Sequence, residues 1–452
     1  MKKIVVLSLL NLLLFAQESV SNLKLEQVNK IIDSTFSQEG VKSQGDTNIE
    51  EDAFVDNVHI LQKPDIDKEI PGNLIIETTI TSNGSEIHQG LTNIKRGAKL
   101  QDAKLESTNQ IDYLKATSGE SFISQANIII GEDSNVTKLI NNADENIAGD
   151  GTADKFELIE NNNIKDTDVK NTTIHQGLVV IKDGADVSNL NITQKNSIKR
   201  SNMSGQNEIN ATQITQGHIK IEDGTGRNIS QSVDNQIDNL SINKNSLINQ
   251  AYIKSTQSDV NNLNSKLNNL NNQDIVKNEI NNVTMNKSII QQSVMIFDRS
   301  SINMLDKYNR GSGLQQNNLI HTATVDNNVT ISQSTLEISN GSTISDVEYF
   351  TATNPDNEQD AINEIKNLDI ADNSMVHQDK LELNSATMED STLYRTNSIK
   401  DTNMGNESNL YQFYTKMMEQ TELKGANLSG KNFIDDIYIN NSNVAQSATT
   451  IQ

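Results

Sequence analysis

The chain has 452 residues, a net charge of −23 and only 34% hydrophobic residues. Nucleic acid and anionic lipid both demand a basic face, so neither is expected as a partner. The absence of cysteine removes disulfides, thiolate metal sites and a Cys nucleophile at once.

In chain order, Met1-Lys2-Lys3 is followed by an apolar run from Ile4 to Phe15 and then by Ala16-Gln17. A charged start, an apolar stretch and a small residue predict a signal peptide over 1–16, cleaved after Ala16. The expected location is therefore outside the cell or on its surface. No other segment approaches the ~20 apolar residues that a helical span requires, so the mature chain is expected to have no transmembrane span. Residues 17–80 read as an N-terminal leader and cap. Leu23, Leu25, Val28, Ile31 and Ile32 suggest a short amphipathic helix, residues 39–56 are acidic and expected to be loose, and Pro64 and Pro71 mark a linker or edge strand.

From residue 81 to 452 the pattern changes to a repeat. Asn196-Ser197-Ile198-Lys199-Arg200-Ser201-Asn202-Met203 recurs as Asn397-Ser398-Ile399-Lys400-Asp401-Thr402-Asn403-Met404. Isolated apolar residues step by five and six: Val187, Ile192, Ile198, Met203, Ile209, Ile214, and again Ile399, Met404, Leu410. A helix would pair them at three and four, a long half-buried strand at two. Steps of five and six, broken by Asn, Asp, Ser and Gly, predict very short strands that each push one or two side chains inward between corners.

A longer period overlies this one. An aliphatic-x-Gln element places Ile87 and Gln89, Ile123 and Gln125, Ile174 and Gln176, Ile214 and Gln216, Ile248 and Gln250, Ile290 and Gln292, Ile331 and Gln333, and Val376 and Gln378 at spacings of 34 to 51 residues. The expected fold is all-β: a repetitive parallel β-solenoid, with a short partly helical or disordered N-terminal region. One coil cannot bury its inner face alone. Stacked coils bury like residues over like, Ile on Ile, and Asn or Gln amides can bond in ladders along the stack. Three prolines in the whole chain suit strands whose N–H groups must all pair.

Insertions are expected near 140–160, 257–280 and 354–370. The spacing of Val260, Leu263, Leu267 and Leu270 is heptad-like but too short for a coiled coil, and Asp356 to Leu368 reads as a short surface helix in a corner. Asp144, Asn146, Asp150 and Asp154, with Gly149 and Gly151, have a calcium-like composition but not the spacing of a calcium loop, so a solvated acidic insertion is the simpler reading. His88, His175 and His377 share one repeat phase; outward polar positions explain them better than a metal row. HExxH, GxSxG and a phosphate-binding loop are all missing, and no cofactor and no catalytic residue is expected.

Asn210 to Gln216, Asn286 to Gln292 and Asn327 to Gln333 each place Asn six residues before Gln, and the stretch 171–253 carries the pattern best. In this the chain resembles the curli-type amyloid subunits of bacterial biofilms. The units here are longer and uneven, and glycine is low at 22 residues. The resemblance implies secretion, surface assembly and a matrix role. The expected function is thus a secreted or cell-surface structural or adhesive protein of a bacterium, with self-association or matrix partners and assembly into extracellular fibres or biofilm matrix. The alternative from another class is a β-helical carbohydrate-active enzyme or carbohydrate-binding module that takes polysaccharide.

Overall fold

The computed structural model describes residues 12–14, 19–26, 29–36, 41–62, 72–81, 84–107, 109–116, 121–143, 162–204, 212–243, 246–265, 277–303, 314–315, 317–326, 328–345, 348–350, 363–370 and 372–451. All helical and strand structure among the described residues is strand, arranged as a parallel β-solenoid. In the coil that begins at Asn162, the strands Asn162–Lys165 and Asp168–Lys170 lie on one sheet. Thr172–Gln176 and Val179–Lys182 lie on the other. Asp186–Ser204 then returns to the first sheet and sets Asn196 beside Asn162 one level on. We call the two walls the asparagine sheet and the glutamine sheet.

The register is constant along the glutamine sheet. Ile87 pairs with Ile123, Ile123 with Ile174, Ile174 with Ile214, Ile214 with Ile248, Ile248 with Ile290, Ile290 with Ile331, Ile331 with Val376, and Val376 with Leu410. The glutamines two residues later follow the same register, starting from Gln44. A shift of one residue would turn every one of these side chains to the opposite face, so the alternation itself holds the alignment.

The interior contains two apolar columns. One takes Ile87, Ile123, Ile174, Ile198, Ile214, Ile399 and their equivalents, and the other takes Ile94, Val179, Ile181, Val187 and Leu190. Between them run the glutamine and asparagine side chains. This arrangement explains how a chain poor in apolar residues folds. Each coil supplies only a few aliphatic side chains, yet stacking leaves them with almost no exposed surface.

Each glutamine is followed by a residue with positive φ: Gly90, Ala126, Gly177, Gly217, Ala251, Ser293, Ser334, Asp379, Phe413. This left-handed residue kinks the sheet, and its N–H still donates to the glutamine carbonyl of the preceding coil, as in Gly217 to Gln176 and Ala251 to Gln216. A side chain is present at several levels, whereas at Gly177 an added Cβ would displace the buried Gln194 amide. Gly177→Ala is expected to cost about 1–2 kcal/mol, against a few tenths for Ala251→Gly, read from urea unfolding midpoints.

Three expectations are corrected. Leu23, Leu25, Ile31 and Ile32 are not on a helix. They lie in the strands Ser19–Glu26 and Asn29–Ile32, where Leu23 pairs with Val58 and Ile31 with Ile75. The acidic stretch 39–56 is not loose where it is described. It forms Val41–Gln44 and Thr47–Ile49 and enters Phe54–Gln62, so coils begin well before residue 81. Ile365 and Leu368 belong to the strand Asn363–Ile370 rather than to a surface helix. In each case the backbone partners offered by the adjacent coil outweigh local helical spacing. Residues 144–161, 266–276 and 351–362, with the acidic Asp144–Asp154 segment, Leu267 and Leu270, lie outside the described residues, as do Pro64, Pro71 and Ile209.

Candidate functional site

Two amide ladders form the spine of the molecule. In the first, Asn29 donates through Nδ2 to Asn73 Oδ1, and the chain of bonds continues through Asn109, Asn162, Asn196, Asn235, Asn278, Asn318, Asn363 and Asn397 to Asn432, every distance 2.7–2.8 Å. In the second, Gln89 Nε2 donates to Gln44 Oε1, and each glutamine donates back to the one before it, through Gln125, Gln176, Gln216, Gln250, Gln292, Gln333 and Gln378 to Gln412.

The two ladders point in opposite directions. Asparagine amides donate towards the C-terminal end and glutamine amides towards the N-terminal end. The second hydrogen of the glutamine amide settles which end is nitrogen. Gln176, Gln292, Gln333 and Gln378 also donate to the main-chain carbonyls of Asn162, Asn278, Asn318 and Asn363, which only an NH2 group can do.

The outer surface of the glutamine sheet is the second feature. The residue between the aliphatic and the glutamine points away from the core: His88, Ser124, His175, Thr215, Asn249, Gln291, Ser332, His377, Tyr411 in register. Several are nonetheless buried, because the positive-φ kink folds the wall towards itself. Asn127 Nδ2 donates to Ser124 Oγ across the fold at 2.8 Å. Near the C-terminal end His377 stacks on Tyr411 with centroids 5.2 Å apart, and Tyr414 closes on both rings.

Burial sets the protonation of this surface. It pushes His175 down to about 4, His218 to about 3, where neighbouring His175 and Lys220 add to the effect, and His377 to about 4. It pushes Asp46 up to about 6, although the Leu91 N–H donates to Asp46 Oδ1. The histidines of the shared phase do not gather into a metal site. Ser124 lies between His88 and His175 in the register, and no three His, Asp or Glu side chains converge on a possible ion among the described residues.

The third feature is the C-terminal end. Strands Asn427–Ile439, Asn443–Ala445 and Ala448–Ile451 pair with the preceding coil only, and no strand lies on their other edge among the described residues. Val444 and Ile451 stand in register with Leu410 and Met417, so they occupy core-column positions. They are nevertheless 37% and 76% exposed. Asn432 Nδ2 turns to the Gln446 carbonyl, and Gln412 Oε1 is buried without a hydrogen bond.

Of the residues singled out in the sequence, Ile87, Ile123, Ile174, Ile214, Ile248, Ile290, Ile331, Val376, Ile198, Ile399, Met404 and Leu410 share one apolar column and Val187 lies in the other. Gln89, Gln125, Gln176, Gln216, Gln250, Gln292, Gln333 and Gln378 form the glutamine ladder. Ile192 and Met203 lie in the strand Asp186–Ser204. Sequence reasoning expected amide ladders of asparagine as well as glutamine, but it missed Gln44 and Gln412 and did not single out the asparagines of the ladder. A signal for it existed: each of its eleven asparagines is followed two residues later by Ile, from Asn29-Lys30-Ile31 to Asn432-Phe433-Ile434. No family model, no curated protein and no solved structure matches the chain.

Proposed function

We propose that this chain is a secreted or cell-surface structural and adhesive rod that adds to further copies of itself by strand pairing at the outer edge of its last described coil. The observation that supports this reading most directly is the exposure of Val444 and Ile451 at core-column positions. An edge of this kind is a template for strand addition unless something covers it. The ladders are directional in the same sense. The asparagine row runs in one sense from Asn29 to Asn432, whose Nδ2 bonds the Gln446 carbonyl with one hydrogen, so a second copy stacked head to tail continues that row without reversal through the other hydrogen. Leu12–Leu14, inside the segment read as the signal peptide, pairs with Thr47–Ile49. Cleavage after Ala16 would remove that strand and open the N-terminal edge.

Eleven ladder levels at ~4.8 Å give a rod of roughly 50 Å. Electron microscopy of the mature protein at rising concentration is expected to show rods and filaments in multiples of that length. Ile451→Lys, at an exposed position, should leave single rods. Wild-type protein that stays at one rod length at every concentration would rule out growth from this end.

The carbohydrate reading draws on the His377, Tyr411 and Tyr414 rings. The carboxylates beside them are already engaged, Glu337 and Glu382 both bonding Lys380 at 2.8 and 2.6 Å. This favours sugar contact over hydrolysis, which needs a free carboxylate pair.

A further inference from the structure

The solenoid's two outer faces differ in chemistry. The asparagine sheet turns Lys199, Asp238, Glu279 and Lys366 outward. The glutamine sheet instead carries an aliphatic patch in its middle: Leu247 in one coil and Ile289 and Ile296 in the next point away from the core, and Ile289 is 43% exposed. The flanking charges are ordered by sign. Along the column that contains Ile296, the two coils on its N-terminal side carry Lys220 and Lys254, and the two on its C-terminal side carry Glu337 and Glu382.

We propose that this face is an isologous interface between two copies of the chain, packed sheet to sheet with their axes antiparallel. A two-fold axis parallel to the strand Ser288–Asp298 reverses the order of coils but keeps each column opposite itself. It therefore sets Ile296 against Ile296 and Ile289 against Ile289, and brings Lys254 of each copy to Glu337 of the other. Lys254 makes no ion pair among the described residues, so its charge is available. Glu337 and Glu382 share Lys380, and Lys416 lies 3.6 Å from Glu382, so these four charges balance within one chain and Lys254 of the partner joins Glu337 as a second cation beside Lys380. Lys220 is held by Glu222 at 2.7 Å, so the Lys254–Glu337 pair is the one that sets the register. Five coils at ~4.8 Å by seven residues at ~3.3 Å give at most roughly 550 Å2 per partner, because the strand is kinked at Ser293 between Ile289 and Ile296, and this places the contact in the weak, transient class. A concentration-dependent dimer follows, distinct from head-to-tail growth and not dependent on it.

The test uses the mature chain carrying Ile451→Lys to suppress end growth, with mass measured by sedimentation between about 1 and 100 μM. The expected result is a particle that doubles in mass and stops at two chains. Ile289→Glu should weaken the dimer at least tenfold. Lys254→Glu alone should weaken it similarly, and Lys254→Glu with Glu337→Lys should restore it. Circular dichroism on the same samples reports that the β-structure is kept. A single-chain mass throughout the range, or a dimer indifferent to both Ile289→Glu and Lys254→Glu, overturns the proposal. Filaments that persist when Ile451 is native and Ile289 is glutamate would instead uphold end growth alone.

Discussion

Gln216→Leu is expected to destabilise the central coils by about 3–5 kcal/mol, although leucine is close to glutamine in volume and far more apolar. The side chain sits in the middle of the ladder. Its Nε2 donates to Gln176 Oε1 at 2.7 Å, and its Oε1 accepts from Gln250 Nε2 at 2.9 Å. Removing it strands an acceptor above and a donor below, both without solvent access. Each orphaned group costs about 1–3 kcal/mol, and the gain from burying leucine offsets only part of this. Gln412→Leu supplies the internal control. At the end of the row Gln412 makes one ladder bond, to Gln378, and its own Oε1 is already unpartnered. It should cost about half as much. Urea unfolding, with hydrogen exchange to localise the loss, makes the comparison. If the two variants are equally harmful, or if Gln216→Leu is neutral, the ladder is an ornament and the aliphatic columns alone hold the stack.

Acid should weaken the fold through the buried histidines. His175, His218 and His377 have folded-state values of about 4, 3 and 4, below the ordinary 6.5, so the fold holds them neutral. Their contribution is complete above pH 6.5. As pH falls below that, the unfolded chain takes up protons that the folded chain refuses, and stability declines until the folded values are reached. At pH 5 each residue can remove at most about 2 kcal/mol, at 1.36 kcal/mol per unit, and partial exposure of His377 reduces its share. Asp46 acts in the opposite sense. Its value is raised to about 6, so the fold gains as pH falls from there towards 3.8, returning about 1–2 kcal/mol. The net loss between pH 7.5 and pH 5 should be about 2–4 kcal/mol. Protonating surface carboxylates also relieves the repulsion of a −23 chain. The triple variant His175→Asn, His218→Asn, His377→Asn separates the two effects, because it keeps every carboxylate. The idea is falsified if the wild type and the triple variant show the same pH slope.

Much of the architecture was legible before any coordinates. The steps of five and six put Val187, Ile198, Met404 and Leu410 inside, and the aliphatic-x-Gln element marked a longer unit that the structure resolves as one coil each. The asparagine ladder was harder to see for a physical reason. Asparagine is everywhere in this chain, in corners and on outer faces, so a structural asparagine has no contrast against its background. The twin stretches at Asn196 and Asn397 are two levels of that ladder. Their likeness arises because both must present the same amide at the same point inside the tube.

The N-terminal region shows the opposite case. Read alone, Leu23 to Ile32 has the spacing of a helix face. Its strand character comes from Val58 and Ile75, dozens of residues away, which offer a finished edge to pair with. The sequence by itself determined the period, many of the buried aliphatic residues and the absence of any thiol chemistry, because those depend only on which side chains recur and how far apart. The direction of the two ladders, the kink that turns outward histidines into buried ones and the bare core positions at Val444 and Ile451 were decided by the tertiary structure alone. Each depends on which neighbour a coil has above or below it, and a linear pattern states the repeat without stating where the stack stops.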